Sequence, residues 1–302
     1  MKRVVSIALT ACVLVSSFAV MAGAEIRIGI LAQRGEEKAL QEYGALADYL
    51  TRNLGDKVTA VPVRFSQFMD WCRANTGSFI VTNPWFFVRA KALWGAYPLA
   101  TIKFQGAGPT MGGVILARRD SGIAAIEDMQ GKSLICPKFS SPGGWLFQKG
   151  EMVRQGVVPE RDLRLITETE AESHDEVVLS VRDRKADVGT VRSGLLEAMA
   201  RENKIALSDF AVINETRHEG FQHKCSTPLY PDWPFAALQD VPLETATRMK
   251  KALLAIPPGH PALVQARNVE RFVEALDYGP VEELCRFLKV KPFSRSSDQS
   301  GK

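Results

Sequence analysis

Several features that would identify a common class of protein are missing from this sequence. Beyond residue 24 it has no uninterrupted run of about 18 apolar residues, the length that a membrane-spanning helix needs. It lacks the G-x-S-x-G, H-E-x-x-H and P-loop motifs, and Gly106 and Gly108 lack the third glycine of a dinucleotide-binding fingerprint. The formal net charge of +4 is too small to indicate nucleic-acid binding. We therefore expect neither these enzyme classes nor a nucleic-acid-binding protein.

The first 24 residues have the pattern of a signal peptide. The basic pair Lys2-Arg3 precedes an almost wholly apolar segment at 4–20, and residues 22–24 (AGA) form an A-x-A cleavage site. The string LTA before Cys12 leaves a lipoprotein signal as an alternative. We expect a mature chain that begins at Glu25, is located in the periplasm and does not itself span the membrane.

Cysteine is rare in the remaining chain. Cys72, Cys136, Cys225 and Cys285 follow the cleavage site at wide spacing, which resembles no zinc-binding motif. An oxidising compartment permits disulfides, and four cysteines allow three pairings. Buried free thiols and a single structural bridge both remain open.

Strand and helix patterns alternate along the chain, which favours an α/β fold with mostly parallel sheets. Strands are predicted at 25–31, 58–63, 78–82, 133–136, 187–190 and 210–213, with helices at 36–54, 65–74, 143–155, 174–182 and 193–201. After them, the apolar spacing predicts three further helices, at 243–256, 269–276 and 281–288.

Two segments interrupt this alternation and predict two crossings between lobes. The glycine cluster at 106–113 leads into a second lobe, and the segment 233–238 returns from it. We therefore predict a first lobe formed by 25–108 and 234–302, and a second lobe formed by 109–233. This organisation is that of a monomer with a hinge.

Short strings in a fixed order give the chain a family resemblance. They are 46–50 (LADYL), 82–84 (TNP), 112–115 (GGVI), 128–132 (DMQGK), 143–144 (GG), 173–175 (SHD), 187–195 (DVGTVRSGL), 226–238 (STPLYPDWPFAAL) and 276–281 (LDYGPV). With them the chain resembles the periplasmic phosphate-, phosphite- and phosphonate-binding proteins, the PhnD-like group. It is most similar to the sensor-type branch, the input domains of tetrathionate-sensing histidine kinases and the arsenite-binding regulators. The resemblance implies the two-lobed periplasmic-binding-protein fold (type II), with a ligand clamped between the lobes.

A loop rich in serine and glycine follows the predicted strand 133–136. It reads Ser140-Ser141-Pro142-Gly143-Gly144 and leads into a helix. Because the first N–H groups of a helix have no partner within it, such a loop is typical of an anion-binding helix N-terminus, and we name residues 140–144 the anion seat. The alternative is a well-capped helix without a ligand. Pro142 offers no N–H where phosphonate-binding relatives have a Ser-Thr-Ser-Gly run, which argues against phosphonate itself.

His174 is the strongest single candidate for a ligand contact. Ser173 and Glu176 predict a capping box at the start of the helix 174–182, which explains Ser173 but not the histidine beside it. A histidine at a helix N-terminus meets an unfavourable dipole unless an anion offsets it. The family has a ligand-contacting histidine in this Ser-His-Asp motif, so the resemblance implies that His174 lines the cleft.

Asn83 and Arg192 follow predicted strands, where open α/β sheets bind their ligands. Asn83 offers both a donor and an acceptor, but it also suits a turn before Pro84. Arg192 has a planar fork of donors that suits an oxyanion, with an ion pair as the alternative.

Four further residues are candidates for the cleft wall. Tyr230 and Trp233 flank the return crossing and would wall the cleft or belong to the core. Cys136 ends the strand before the anion seat and Cys225 precedes the return crossing, so a thiolate there would suit a thiophilic ligand such as arsenite. Buried thiols are the alternative.

The segment 218–225 carries an alternative metal site. His218, Glu219, His223 and Cys225 are all metal-ligating residue types, although their spacing matches no familiar zinc motif. A metal-binding periplasmic protein is therefore the rival function.

Taken together, these patterns predict a binding protein and not an enzyme, with no cofactor. The expected ligand is a small oxyanion of phosphorus, arsenic or sulfur. The expected partner is a membrane-bound sensor histidine kinase, with an ABC permease as the alternative.

Overall fold

Two β-sheets organise the protein, and each is built from a different part of the chain. The computed structural model describes residues 25–33, 35–266 and 269–294. The signal-peptide prediction and the polar tail after residue 294 lie outside the described residues. No helix in the described ranges is long and apolar enough to cross a membrane.

The first sheet takes its strands from both ends of the described chain. Its strands are β1 (Ile26–Leu31), β2 (Val58–Val63), β3 (Phe79–Val81), β4 (Tyr97–Phe104), β12 (Pro234–Ala237) and β13 (Val269–Glu274). They lie in the order β13-β4-β12-β3-β1-β2. The helices of this region are α1 (Glu36–Leu54), α2 (Phe68–Ala74), α3 (Pro84–Trp94), α8 (Leu243–Leu254), α9 (Pro261–Val264) and α10 (Gly279–Phe287).

The second sheet is formed by the middle of the chain. Its strands are β6 (Gly113–Arg118), β7 (Ser133–Cys136), β8 (Leu165–Glu168), β9 (Val188–Arg192) and β10 (Phe210–Ile213), in the order β10-β6-β9-β7-β8. The helices are α4 (Phe147–Arg154), α5 (Pro159–Asp162), α6 (His174–Arg182) and α7 (Leu195–Arg201). A π-helical turn, Pro142–Leu146, leads directly into α4.

The longest helix shows why local prediction succeeds in this chain. The buried side chains of α1, among them Tyr43, Leu46 and Leu50, recur at helical spacing and face the first sheet. The helix ends at Gly55, whose φ of 75° is the left-handed conformation that glycine adopts readily. The bounds of α1, β2, α6 and β10 agree with the predictions.

Two short strands mark the crossings between the sheets. β5 (Thr110–Met111) and β11 (Tyr230–Pro231) pair antiparallel, with Tyr230 opposite Met111. The backbone N–H of Asp232 donates to the carbonyl of Pro109 at 2.9 Å, which extends this contact toward the first sheet. Both crossings therefore meet in one two-stranded hinge, as the two-crossing prediction requires.

In the C-terminal region a predicted helix is wrong. The segment predicted as a helix at 269–276 is the edge strand β13, which pairs antiparallel with β4. Its apolar residues fit a helical spacing, but Val269 and Phe272 are buried against the sheet. The backbone of β13 forms hydrogen bonds with the N–H and C=O groups along the edge of β4, which would otherwise lack partners. The strands β4 and β8 were not predicted, and both sheets are mixed rather than mostly parallel.

The two lobes share apolar packing at the hinge. The core cluster of the first sheet continues into Leu146 and Phe147 at the start of α4. Gly150 on α4 leaves room for the Leu284 side chain of α10, since a Cβ at Gly150 would lie 2.4 Å from Leu284 Cδ1. The anion seat is thus held by a helix that packs against both lobes.

Candidate functional site

A cavity of about 360 Å³ lies beside the hinge, between the two sheets. Both lobes and both crossings contribute to its wall, and we name it the hinge cavity. Residues that line it include Gln33, Lys38, Glu42, Asn83, Thr110, Met111, Ser141, Pro142, Gly143, His174, Arg192, Ser193, Gly194, Arg201, His223, Asp232, Trp233 and Val264. Five of the predicted ligand residues therefore meet here: Asn83, Ser141, Gly143, His174 and Arg192.

The anion seat begins a helical turn beside the cavity. Ser141 precedes the π-helical turn with extended backbone, and its carbonyl accepts hydrogen bonds from Trp145 N–H at 2.9 Å and Leu146 N–H at 3.2 Å. Pro142 has no N–H, so the N–H groups of Gly143 and Gly144 are the first of this helix, which have no partner within it. Together with the helix dipole they favour an anion at this end.

The two glycines of the seat are required by close packing. A Cβ on Gly144 would lie 2.4 Å from Pro137 Cγ and 2.8 Å from His174 Cε1. A Cβ on Gly143 would lie 2.3 Å from Met111 Cε, the end of a flexible side chain. Gly144 does not line the cavity itself but lets His174 lie against the seat.

His174 is oriented by the strand beside it. As the first residue of α6, it accepts a hydrogen bond at Nδ1 from the backbone N–H of Arg192, at 3.2 Å. A neutral imidazole that accepts at Nδ1 carries its proton on Nε2, so the ring is a donor at Nε2. The predicted Ser173 cap is present, with Glu176 N–H donating to Ser173 Oγ at 3.4 Å. The Glu176 carboxylate instead accepts from Ala171 N–H.

Asn83 and Arg192 occupy opposite walls. Asn83 is buried, and its Oδ1 accepts from Phe86 N–H at 2.9 Å, which makes it the N-cap of α3. The turn role of Asn83 is thus real, and the residue also lines the hinge cavity. Arg192 ends β9, and its Nη1 donates to the Ser193 carbonyl at 3.4 Å.

A larger chamber of about 850 Å³ adjoins the hinge cavity, and the two share Gln33, His174 and Arg192. We name it the Arg89 chamber. Its wall includes Arg64, Phe65, Phe86 and Arg89 from the first lobe, and Lys138, Ser140, Glu170, Glu172, Asp175 and Leu195 from the second. Ser140 of the anion seat faces this chamber and not the hinge cavity.

Tyr230 lies in the core rather than on the cavity wall. It is 3% exposed and stacks on Phe147 with ring centroids 4.1 Å apart. Burial raises the pKa of its hydroxyl. Trp233, which flanks the return crossing together with Tyr230, does line the hinge cavity.

Cys136 and Cys225 are also placed behind the cavity wall. Both are fully buried, and all four described cysteines are free thiols. Burial raises the pKa of Cys136 to about 12 and raises that of Cys225. Since the thiolate is the form that binds soft ligands, the geometry offers no thiolate to the cleft at neutral pH.

The predicted metal cluster is dispersed. His218 Nε2 hydrogen-bonds to the Thr227 carbonyl at 2.8 Å, and Cys225 Sγ contacts the same carbonyl at 3.2 Å. His223 instead packs on Gly194 and lines the hinge cavity. Within the described ranges, no three histidine, cysteine, aspartate or glutamate side chains converge as metal ligands.

Sequence reasoning missed several charged residues of the hinge cavity. Lys38 and Arg201 bring cationic groups, while Glu42 and Asp232 bring carboxylates. They lie on helices or in loops that only the folded chain brings to the cleft. Asp232 had one usable signal, because it sits in the return crossing beside Tyr230 and Trp233.

Comparison with known proteins identifies the family. A family model for the ABC transporter, phosphonate, periplasmic substrate-binding protein matches residues 28–278. The tetrathionate sensor histidine kinase TtrS of Salmonella typhimurium is 34% identical over 235 residues, 76% of this chain and 39% of TtrS. The chain therefore spans about two fifths of the length of that curated relative.

Solved structures show the same fold. PhnD1 of Prochlorococcus marinus, in complex with methylphosphonate, matches with a TM-score of 0.69 at 16% identity and covers 88% of this chain and 98% of its own. A binding-protein component of an ABC phosphonate transporter from Pseudomonas aeruginosa has a TM-score of 0.66 at 16% identity, covering 88% of this chain and 86% of its own. These structures confirm the predicted two-lobed fold. With the family model spanning most of its length, the chain belongs to the phosphonate-type family of periplasmic substrate-binding proteins.

Proposed function

We propose that this protein clamps a small oxyanion of phosphorus, arsenic or sulfur between its lobes and presents the bound form to a membrane sensor histidine kinase. One observation carries the ligand class: hydrogen-bond donors from both lobes converge on the hinge cavity. They are the N–H groups of the anion seat, His174 Nε2, the Arg192 guanidinium and the Asn83 amide. Backbone N–H, imidazole, guanidinium and amide donors at one cavity suit an oxyanion, a ligand that accepts hydrogen bonds and does not donate them.

The hinge explains how binding is coupled to shape. β5 and β11 are short, so a small change in their backbone reorients one sheet relative to the other. Closure around an anion removes water from the seat, and its charge-assisted hydrogen bonds then act at a lower dielectric constant. Only a ligand that contacts both lobes stabilises the closed form.

Each part of the site has a distinct role in this proposal. Gly143 and Gly144 contribute backbone N–H groups, and His174 and Arg192 contribute side-chain donors from the same lobe. Asn83 meets the ligand from the other lobe. Lys38 and Arg201 raise the local positive potential, which steers anions to the cleft.

The sensor-kinase partner is supported by the relative and not by the cavity. TtrS is named as a tetrathionate sensor histidine kinase, and this chain matches 39% of its length. A kinase that prefers the closed form of the binding protein would gain coupling energy from the ligand. The family description favours a second candidate, in which the closed form docks on an ABC permease for uptake.

A thermal-shift screen tests the ligand class. Phosphate, phosphite, methylphosphonate, arsenite, arsenate, thiosulfate and tetrathionate are added separately to purified, EDTA-treated protein. We expect at least one of them to raise the melting temperature. At a ligand concentration of 100 times Kd, the free energy of unfolding should rise by about 2.7 kcal/mol. Shifts with amino acids or sugars and none with these anions would contradict the proposal. Binding lost with EDTA and restored by a divalent metal would support the metal-binding rival.

A gene deletion separates the two outputs. Ligand uptake and ligand-dependent transcription are measured in the deletion strain and in a strain that carries the H174A variant. We expect the transcriptional response to disappear with uptake retained. Lost uptake with a normal transcriptional response would leave a transport receptor.

A further inference from the structure

Arg89 forms no ion pair with any residue that the structure describes. It lies on α3, with its guanidinium carbon 5.4 Å from the centre of the Trp85 ring and 6.0 Å from that of Phe86. Its Nε is buried and has no hydrogen-bond partner in the part of the chain that the structure describes. A partly buried charge without an anionic partner is costly, because the two aromatic contacts replace only part of its lost hydration.

The described groups around Arg89 do not supply a negative charge to balance its guanidinium. Cys285 on α10 interacts electrostatically with Arg89, but burial raises the pKa of its thiol to about 12 and keeps it neutral at pH 7. On the facing wall of the Arg89 chamber, Glu172 pairs with Lys138 at 3.2 Å and Asp175 with Lys204 at 3.1 Å. Glu170 is exposed at the rim. None of the carboxylates that line the chamber is therefore paired with the Arg89 guanidinium.

The position of the chamber relates it to the anion seat. Gln33, His174 and Arg192 line both the Arg89 chamber and the hinge cavity, so the two spaces adjoin at these side chains. Ser140 faces one space and Ser141 the other, so the seat lies at their junction. A ligand held at the seat can extend from one space into the other.

We infer that the Arg89 chamber receives the far anionic group of an elongated, two-ended oxyanion whose near group is held at the anion seat, with Arg89 as the counterion of the far group. This inference rests on the proposed function and narrows it to anions with negative charge at both ends. Arg89 comes from the first lobe and the seat from the second, so such a ligand bridges the lobes and holds them closed.

Calorimetric titration with matched anion pairs tests the inference. The pairs are thiosulfate and tetrathionate, phosphate and pyrophosphate, and methylphosphonate and methylenediphosphonate. We expect the wild-type protein to bind at least one two-ended member about tenfold or more tightly than its one-ended counterpart. Arg89→Gln should remove that preference and leave the affinity for the one-ended anion within about threefold, while Arg89→Lys should retain part of it.

Arg73→Gln provides a matched control outside both cavities. Arg73 is exposed and already paired with Asp70 at 3.2 Å, so its loss should change both affinities by less than about threefold. The melting temperature of ligand-free Arg89→Gln should equal or exceed that of the wild type, because an uncompensated charge is removed. This measurement also shows that the variant is folded.

Three results would overturn the inference. If Arg89→Gln lost the same affinity for one-ended and two-ended anions, Arg89 would instead stabilise the closed form by an ion pair with Glu170 across the lobes. A lower melting temperature with the preference for two-ended anions intact would give Arg89 a structural role. One-ended anions that bind as tightly as two-ended ones would reject the second subsite while leaving the proposed function standing, whereas the absence of any anion binding would reject the proposed function itself.

Discussion

The two walls of the cleft are built in different ways. In the second lobe each part of the anion seat is held by a neighbour: Gln148 Nε2 donates to the Gly143 carbonyl at 2.7 Å and Thr190 Oγ1 to the Gly144 carbonyl at 2.6 Å. His174 is held in the same way by the Arg192 backbone. In the first lobe Asn83 is fixed as a helix cap, but Arg89 on the same helix has no anionic partner among the residues that the structure describes.

This difference indicates that the two walls act at different stages of binding. A seat whose donors are already oriented loses little conformational entropy when an anion arrives, so it can bind first. The opposite wall carries an uncompensated charge that gains most when the lobes close on a bound anion. The variants below test whether affinity depends mainly on the ordered wall.

The largest expected effect comes from crowding the seat. Gly144→Ala places a Cβ against the Pro137 ring and the His174 imidazole, neither of which can move without displacing the seat. We expect about 1–3 kcal/mol of overpacking strain and a loss of affinity of tenfold or more. Gly143→Ala meets the flexible end of Met111 at 2.3 Å and the Arg192 Cβ only at 3.2 Å, so it should lose less. Calorimetric titration of both variants checks this order, and a larger loss in Gly143→Ala would contradict it.

Loss of the His174 donor should have the next largest effect. His174→Ala removes Nε2–H and leaves the Arg192 N–H without its acceptor, so affinity for the anion should fall by about 1–3 kcal/mol. Ser173→Ala is the matched control, because it removes the helix cap and should cost about 1 kcal/mol of folding stability without changing affinity. Titration and urea unfolding of both variants separate the roles. Weakened binding in Ser173→Ala alone would assign the effect to the helix end.

A smaller effect is expected on the facing wall. Asn83→Ser keeps an oxygen that can cap α3 but removes the amide donor, so affinity should fall by about 0.5–1.5 kcal/mol with stability unchanged. Asn83→Ala should also lose about 1 kcal/mol of stability. If Asn83→Ser weakened binding more than His174→Ala, the ordered wall would not be the main source of affinity.

The smallest effect at neutral pH concerns the buried thiols of both lobes. Burial raises the pKa of Cys72, Cys136 and Cys285 from 9.0 to about 12. The folded state therefore keeps protons that the unfolded state releases above pH 9. Their contribution to stability is complete below pH 9 and falls by up to about 1.4 kcal/mol per pH unit for each thiol between 9 and 12.

Urea unfolding between pH 7 and pH 10.5 measures this loss. Cys136→Ala should make the decline shallower by up to one thiol's share, and added reductant should leave the melting temperature unchanged. Stability that stays constant above pH 9, or that falls when reductant is added, would indicate that these cysteines are not buried free thiols.

Local patterns were sufficient for part of the fold. α1 and α6 have both a periodic apolar face and a recognisable end, Gly55 in one and the Ser173 cap in the other. β13 has an apolar spacing that a helix also satisfies, and only its pairing with β4 decides between the two. β8 is short and only partly buried, so its sequence carries little signal.

The residues of the candidate site also fall into two groups, those that the sequence could identify and those that only packing reveals. Asn83, the anion seat and Arg192 could be found because each directly follows a strand, and strand ends meet at one edge of a sheet. Tyr230, Cys136 and Cys225 lie near the same edges in sequence, but their side chains point into the core. Arg89 and Arg201 are ordinary helix residues by sequence, and it is packing across the cleft that makes them candidates for anion binding.

The sequence alone determined the family and the two-lobed organisation, because these depend on strings of neighbouring residues whose conformation is set by local hydrogen bonds and apolar spacing. The tertiary structure decided which side chains line the hinge cavity, that the cysteines are buried, and that Arg89 has no counterion among the described residues. These properties depend on the distances between groups far apart in the chain, and burial and charge compensation follow from those distances rather than from any local pattern.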